Sequence, residues 1–171
     1  MKNRLLVNFG SLSVGMHEYS FELTTENWKA RESARIKDGN VLVLLKVDKS
    51  ERHLTFDYTI KGEVQVDCDN CLSRLQYPIN DHVTLHIKLS DEEIEDEVDL
   101  IHLPSHTTQW DMTDHACDSV ELSLPMKTVC SDSINREECD EEYIERMNAR
   151  SDDEDTHHPE WDKLKDLFKQ N

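Results

Sequence analysis

A chain of 171 residues is long enough to bury one real core and too short for several large ones. Only 36% of its residues are apolar, and no run approaches the roughly 20 apolar residues of a membrane helix, so a membrane-spanning helix is excluded. The formal charge of −18 is placed unevenly: residues 1–90 hold 12 Lys and Arg against 12 Asp and Glu, whereas residues 91–171 hold 7 against 25. Phosphate backbones are repelled by such a C-terminal half, and basic surfaces are drawn to it.

The first ninety residues carry strand patterns. Leu5, Val7 and Phe9 alternate with polar residues, as do Tyr19, Phe21 and Leu23. Thr24 can cap a short helix through Trp28. The turn signal Asp38-Gly39-Asn40 precedes an apolar run from Val41 to Val47. Leu54, Phe56, Tyr58 and Ile60 alternate strictly, Lys61-Gly62 reads as a turn-like interruption, and Val64 and Val66 resume the rhythm. Two further alternating runs follow, Leu75 to Ile79 and Val83 to Leu89. Short strands of this kind predict an antiparallel sheet, or a partly closed barrel, burying one face of each strand.

Beyond Ser90 the pattern changes. Asp91 to Glu97 is acidic, and Val98, Leu100 and Ile101 mark one more short strand. Asp111 is a candidate cap for a helix from Met112 to about Leu124, with Met112, Ala116, Val120 and Leu124 as its apolar stripe and Pro125 as its stop. A second helix is expected from Glu137 to Arg150. Pro159 opens a last one, whose Trp161, Leu164, Leu167 and Phe168 form a docking face. The chain is thus expected to be one α+β domain over 1–171, with C-terminal helices packed on the sheet. Its parts are a β-rich body (1–103), an acidic helical part (104–150), a linker (151–158) and a docking helix (159–171). The Met-Lys-Asn-Arg-Leu-Leu-Val-Asn-Phe start offers neither an apolar stretch of signal-peptide length nor a cleavage site, so a cytoplasmic location is expected.

Five cysteines in a reducing compartment are read as thiols or metal ligands rather than disulfides. Cys68 and Cys71 lie in Val-Asp-Cys-Asp-Asn-Cys-Leu at the end of an alternating run. That spacing lets two sulfurs reach one tetrahedral centre. The pair alone is an incomplete site, for which Cys130 and Cys139 are the natural further ligands. A redox pair or a structural role are the alternatives. Thioredoxin-type motifs open a helix, whereas this one lies between two strand-like runs. Cys117 falls inside a predicted helix, where a small buried residue is the simplest reading. His82 and His86 share a strand face, and His157 and His158 lie in the acidic linker; neither pair makes a site by itself. No glycine-rich phosphate loop, nucleophile elbow or His-Glu-x-x-His helix is present, and nothing argues for an enzyme. A direct RNA-binding reading rests on Arg31, Arg35, Lys37, Lys46, Lys49 and Arg52 as a basic edge of the sheet, with Trp28 to stack on bases.

Three segments together, Val-Asp-Cys-Asp-Asn-Cys-Leu, Leu-Ser-Leu-Pro-Met-Lys and His-Pro-Glu-Trp-Asp-Lys-Leu-Lys-Asp-Leu, resemble those of the YceD-like family of bacterial proteins, the large ribosomal RNA subunit accumulation proteins. The resemblance runs from about residue 38 onward. Cys68, Cys71 and Leu72 match its Cys-Asp-Arg-Cys-Leu, with Asn70 in place of Arg; Leu124, Pro125 and Met126 match its Leu-Pro segment. Cys130 falls where many members have His, and Cys139 falls on the later Cys. Exchange between His and Cys is what a metal position tolerates, so the resemblance implies a zinc site at Cys68, Cys71, Cys130 and Cys139. It also implies a non-enzymatic role in assembly of the large ribosomal subunit, where a gene for a small large-subunit protein often lies nearby. The expected partner is a basic large-subunit ribosomal protein or assembly factor held by the acidic half, with rRNA contacted indirectly and no membrane. The alternatives are direct RNA binding by the N-terminal sheet and a Cys-x-x-Cys redox protein.

Overall fold

The computed structural model describes residues 4–91, 100–135 and 138–152, with the side chains of 150–152 left aside. Its centre is a five-stranded sheet, in the spatial order β2 (Gly15–Leu23), β3 (Asp38–Lys49), β4 (His53–Asp67), β5 (Arg74–Leu89), β6 (Leu100–Leu103). The first four strands run antiparallel as a meander. β6 lies parallel to β5, pairing His86 with Leu100 and Leu89 with Leu103. The sheet is open, with β2 and β6 as its edges, so of the two expected architectures it is the open sheet, made mixed by that one parallel pair. A separate two-stranded ribbon joins β1 (Leu6–Asn8) to β7 (Gln109–Asp111), with Val7 opposite Trp110. Too short for any periodicity to show, β7 lies inside the stretch expected to be helical.

Lys61-Gly62 does not interrupt a strand: β4 and β5 are continuous over 15 and 16 residues. Glycine is needed at 62 because β3 presses against it. A Cβ there would stand 2.1 Å from the Asn40 carbonyl oxygen and 2.8 Å from the Val41 Cα. The residue marks a close backbone approach within a strand.

One sheet face is apolar and covered. Val41, Val43, Leu45 and Val47 of β3 meet Leu54, Phe56, Tyr58, Ile60, Val64 and Val66 of β4, each at most 2% exposed. Strict alternation sends the intervening residues outward, so Leu44, Lys46 and Asp48 face solvent. Helix α1 (Thr25–Arg31) begins where expected. Its first turn is closed by Asn27, whose amide donates to the Thr24 carbonyl at 2.8 Å and whose Oδ1 accepts the Thr24 amide at 3.0 Å. Helix α2 (Thr113–Ser123) buries the expected stripe of Met112, Ala116, Val120 and Leu124, and Pro125 follows its end. Asp111 accepts the Thr113 amide at 3.0 Å. Inside the core, Tyr58 on β4 and Ser119 on α2 share a hydrogen bond of 2.7 Å between their hydroxyls. Helix α3 (Glu141–Asp152) starts four residues later than its expected Glu137 start, because Asp140 caps it. The docking helix (159–171), and with it Trp161, Leu164, Leu167 and Phe168, lies outside the described residues, as do most of the acidic 91–97 run and the linker.

Candidate metal centre

The turn from Cys68 to Ser73 joins β4 to β5, the two longest strands, so a rigid hairpin carries the first two sulfurs. The Cys68 amide donates to the Ser73 carbonyl at 2.8 Å and the Leu72 amide to the Cys68 carbonyl at 2.9 Å. Leu72 closes the turn in the left-handed region, at φ 59°. Chain reversal turns both cysteines inward: Cys68 is 0% and Cys71 4% exposed. The Asn70 amide lies 3.4 Å from the Cys68 sulfur and donates to it.

The third sulfur arrives on the segment after α2. Two reciprocal bonds fasten this segment to the hairpin, Asp69 amide to Thr128 carbonyl at 2.8 Å and Thr128 amide to Asp69 carboxylate at 2.6 Å. Thr128 Oγ1 adds a bond to the Asp67 carbonyl at 3.2 Å. Next comes a 3-10 turn over Cys130–Asp132, which buries Cys130 to 1% exposure. Its thiol lies 3.5 Å from that of Cys71. Cys139 supplies the fourth sulfur, half-buried and 3.9 Å from Cys68 Sγ, with the Asn70 side-chain amide 3.9 Å away.

The four sulfurs, from three separate segments, lie within 4.8 Å of one another. In a four-coordinate zinc site, Zn–S bonds of about 2.3 Å set neighbouring sulfurs roughly 3.8 Å apart. Both short separations here bracket that value, and all five cysteines are free thiols. Donor set, spacing and burial therefore fit a soft divalent metal. Electrostatics agree. The Ser73 hydroxyl and amide, with the Asp140 amide, hold Cys71 down at about 6, against the opposing effect of its burial. Burial, and then the adjoining sulfurs, push Cys130 well above the usual thiol range. A cluster that favours one thiolate and disfavours the next is one a cation would relieve.

Sequence reasoning named these four cysteines as candidate ligands but missed the residues that hold them in place. Asp69, Thr128 and Ser73 carry no signal of their own in the sequence. Their pairing across some sixty residues exists only after folding. Cys117 is fully buried on α2, away from the cluster, in accord with its reading as a small core residue. His82 and His86 lie on the solvent face of β5, bonded to Asp57 and Thr55, and the four cysteines form the one group found among the described residues that could hold a metal ion.

Part of the expected basic edge is engaged within the protein, while Lys46 and Arg52 are exposed. The Arg31 guanidinium binds Asp118 and the Asp114 carbonyl (3.1 Å) on α2, and Arg35 binds the Pro125 carbonyl at 2.7 Å. Lys37 donates to the Ala34 carbonyl at 2.8 Å, and Lys49 to the carbonyls of Phe9 and Leu12, each at 2.7 Å. Trp28 cannot stack on a base: it is 1% exposed, its indole N–H given to the Gly39 carbonyl at 3.0 Å. These cations hold segments of the protein together.

A family profile described as the large ribosomal RNA subunit accumulation protein YceD matches residues 56–168. The chain belongs to the YceD family. The matched span opens inside β4 and includes all four clustered cysteines. The YceD description implies a role in accumulation of large-subunit ribosomal RNA, hence ribosome-related partners, and it names no reaction. No curated protein and no solved structure matches the chain significantly. No described helix of this YceD-family chain is long and apolar enough to cross a membrane.

Proposed function

We propose that this protein is a non-enzymatic binding protein of large-subunit biogenesis, which holds a basic ribosomal protein or assembly factor through its acidic C-terminal half. The observation that carries this reading is the charge segregation: in a YceD-family chain, 25 carboxylates against 7 cations lie beyond residue 90. On α3, Glu141, Glu142 and Glu145 are all exposed. RNA has the higher charge density, so it displaces the acidic holder from a basic protein, which gives the handover its direction. A pull-down of the full chain from its own lysate, at low and moderate salt and with and without nuclease, tests this. Recovery of one or two basic large-subunit proteins, indifferent to nuclease and lost with salt, is expected. Retention abolished by nuclease would instead mark direct RNA binding and overturn the holder reading.

Cys68, Cys71, Cys130 and Cys139 are, in the same proposal, ligands of one structural zinc ion. Four convergent thiols favour this over a two-cysteine redox pair, since each short S···S separation joins sulfurs from different segments. Zinc would close the hairpin, the segment after α2 and the start of α3 into one unit. Metal analysis of the purified protein should give one zinc per chain. A metal-free protein with all four thiols open to titration would overturn the assignment.

A further inference from the structure

The fourth sulfur has a particular place in the chain. Cys139 immediately precedes Asp140, and Asp140 is the cap of α3: its carboxylate accepts the Tyr143 amide at 3.1 Å and its carbonyl the Ile144 amide at 3.2 Å. The Cys139 sulfur itself stands 3.9 Å from Cys68 Sγ on the hairpin. Sulfur cluster and helix start are thus adjacent in sequence and joined in space.

Among the described residues, the contacts of the rest of α3 are few. Tyr143 and Ile144 are its apolar residues packed, half-buried, against the core, whereas Glu145 to Ala149 are exposed. A surface ion pair, Arg146 with Glu142 at 3.1 Å, contributes little between such exposed side chains. Twelve residues is about the length at which an isolated helix is marginal in water. Cys68, Cys71 and Cys130 belong to segments already fixed by the sheet and by the Asp69–Thr128 bonds, so a metal gains its first three ligands from a rigid frame. Ligation of the fourth draws Cys139, and the cap behind it, onto that frame.

We infer that metal occupancy of the cysteine cluster decides whether the acidic helix α3 is docked and formed, so that the cluster works as a metal-dependent latch on the acidic surface. This rests on the metal reading proposed above and goes beyond it: the metal's effect is local to α3. The acidic residues Glu141, Glu142 and Glu145 would then be presented in a fixed array only in the loaded protein, tying capture of a basic partner to metal supply.

Hydrogen exchange on the full-length chain tests the latch, comparing protein loaded with one equivalent of zinc and protein stripped with a chelator under reducing conditions. On stripping, amides 144–149 should exchange at least tenfold faster, while those of β3, β4 and β5 keep their protection. Cys139→Ser in the presence of zinc should give α3 the same fast exchange. Equal protection of α3 with and without bound zinc would overturn the latch but leave the metal assignment standing. Loss of protection in the sheet together with α3 would also overturn it, making the metal a general support of the fold. Failure to retain zinc at all would remove the metal assignment and the latch with it, and metal analysis of the same samples separates that outcome from the others.

Discussion

Asp69 has an unusual concentration of roles for a residue between two cysteines. Its amide and its carboxylate both bind Thr128, so one side chain sets how far the Cys130 segment stands from the hairpin. Asp69→Ala leaves the Thr128 amide short of its acceptor in a part-buried place, while the Thr128 hydroxyl keeps the Asp67 carbonyl, a loss of about 1–3 kcal/mol. Because groups that position ligands tune a metal site almost as strongly as the ligands do, zinc affinity should also fall by about 10–100-fold. Competition against a chromophoric chelator measures this; unchanged affinity would mean the two segments are held by something else. Reading Asp69 from the sequence was not possible, because an acid between cysteines is as easily a solvated spacer. Only the contact with a residue 59 positions away separates those meanings.

Among the elements, α1 and α2 show why a basic residue is a poor guide to a basic surface. Arg31 ends α1 with its side chain 21% exposed, and it reaches across to Asp118 and Asp114 on α2. The bond is part of how the helices sit together over the sheet. Arg31→Ala should lower stability by about 1 kcal/mol in urea denaturation, since a charge-assisted bond this close to solvent is partly screened. It should leave RNA retention unchanged; marked loss of retained RNA would return Arg31 to a nucleic-acid role. The elements themselves were largely legible. Alternation marked the segments of β2, β4 and β5, an apolar run after a turn signal marked β3, and the four-residue stripe of Met112, Ala116, Val120 and Leu124 marked α2, because one-sided burial writes its period into the chain. Gly62 misled for the opposite reason. A glycine that opens a turn and one that admits a neighbouring backbone look alike until β3 lies beside β4.

Across the whole molecule, the near-neutral N-terminal half uses much of its positive charge internally, on carbonyls and on the carboxylates of α2. The acidic excess of the other half is displayed in part on α3. A partner held by that field should bind less tightly with each addition of salt, because the carboxylates are exposed and screened within a Debye length of about 10 Å at 0.1 M. Replacing Glu141, Glu142 and Glu145 together by Gln should therefore reduce both the affinity for the basic partner and its salt dependence, as read by a salt titration of the binding constant. An unaltered slope would place the partner elsewhere. These substitutions replace exposed residues, so the sheet and its core should be unaffected.

The amino-acid sequence by itself determined the α+β class, the covered face of the strictly alternating strands, the segregation of charge and which four cysteines are candidates to share one metal. Each of these is local or additive: a period of two, a period near four, a sum of charges, a residue type. Tertiary structure alone decided that the sheet is open with a parallel last strand, that β7 returns to pair with β1, and that Arg31, Arg35, Lys37 and Lys49 are spent on internal contacts. It also decided that Cys139 stands beside sulfurs some seventy residues earlier, directly at the head of an acidic helix. Those are relations between distant segments, and a pair of residues brought together by chain closure carries no mark of its partner until the core between them has formed.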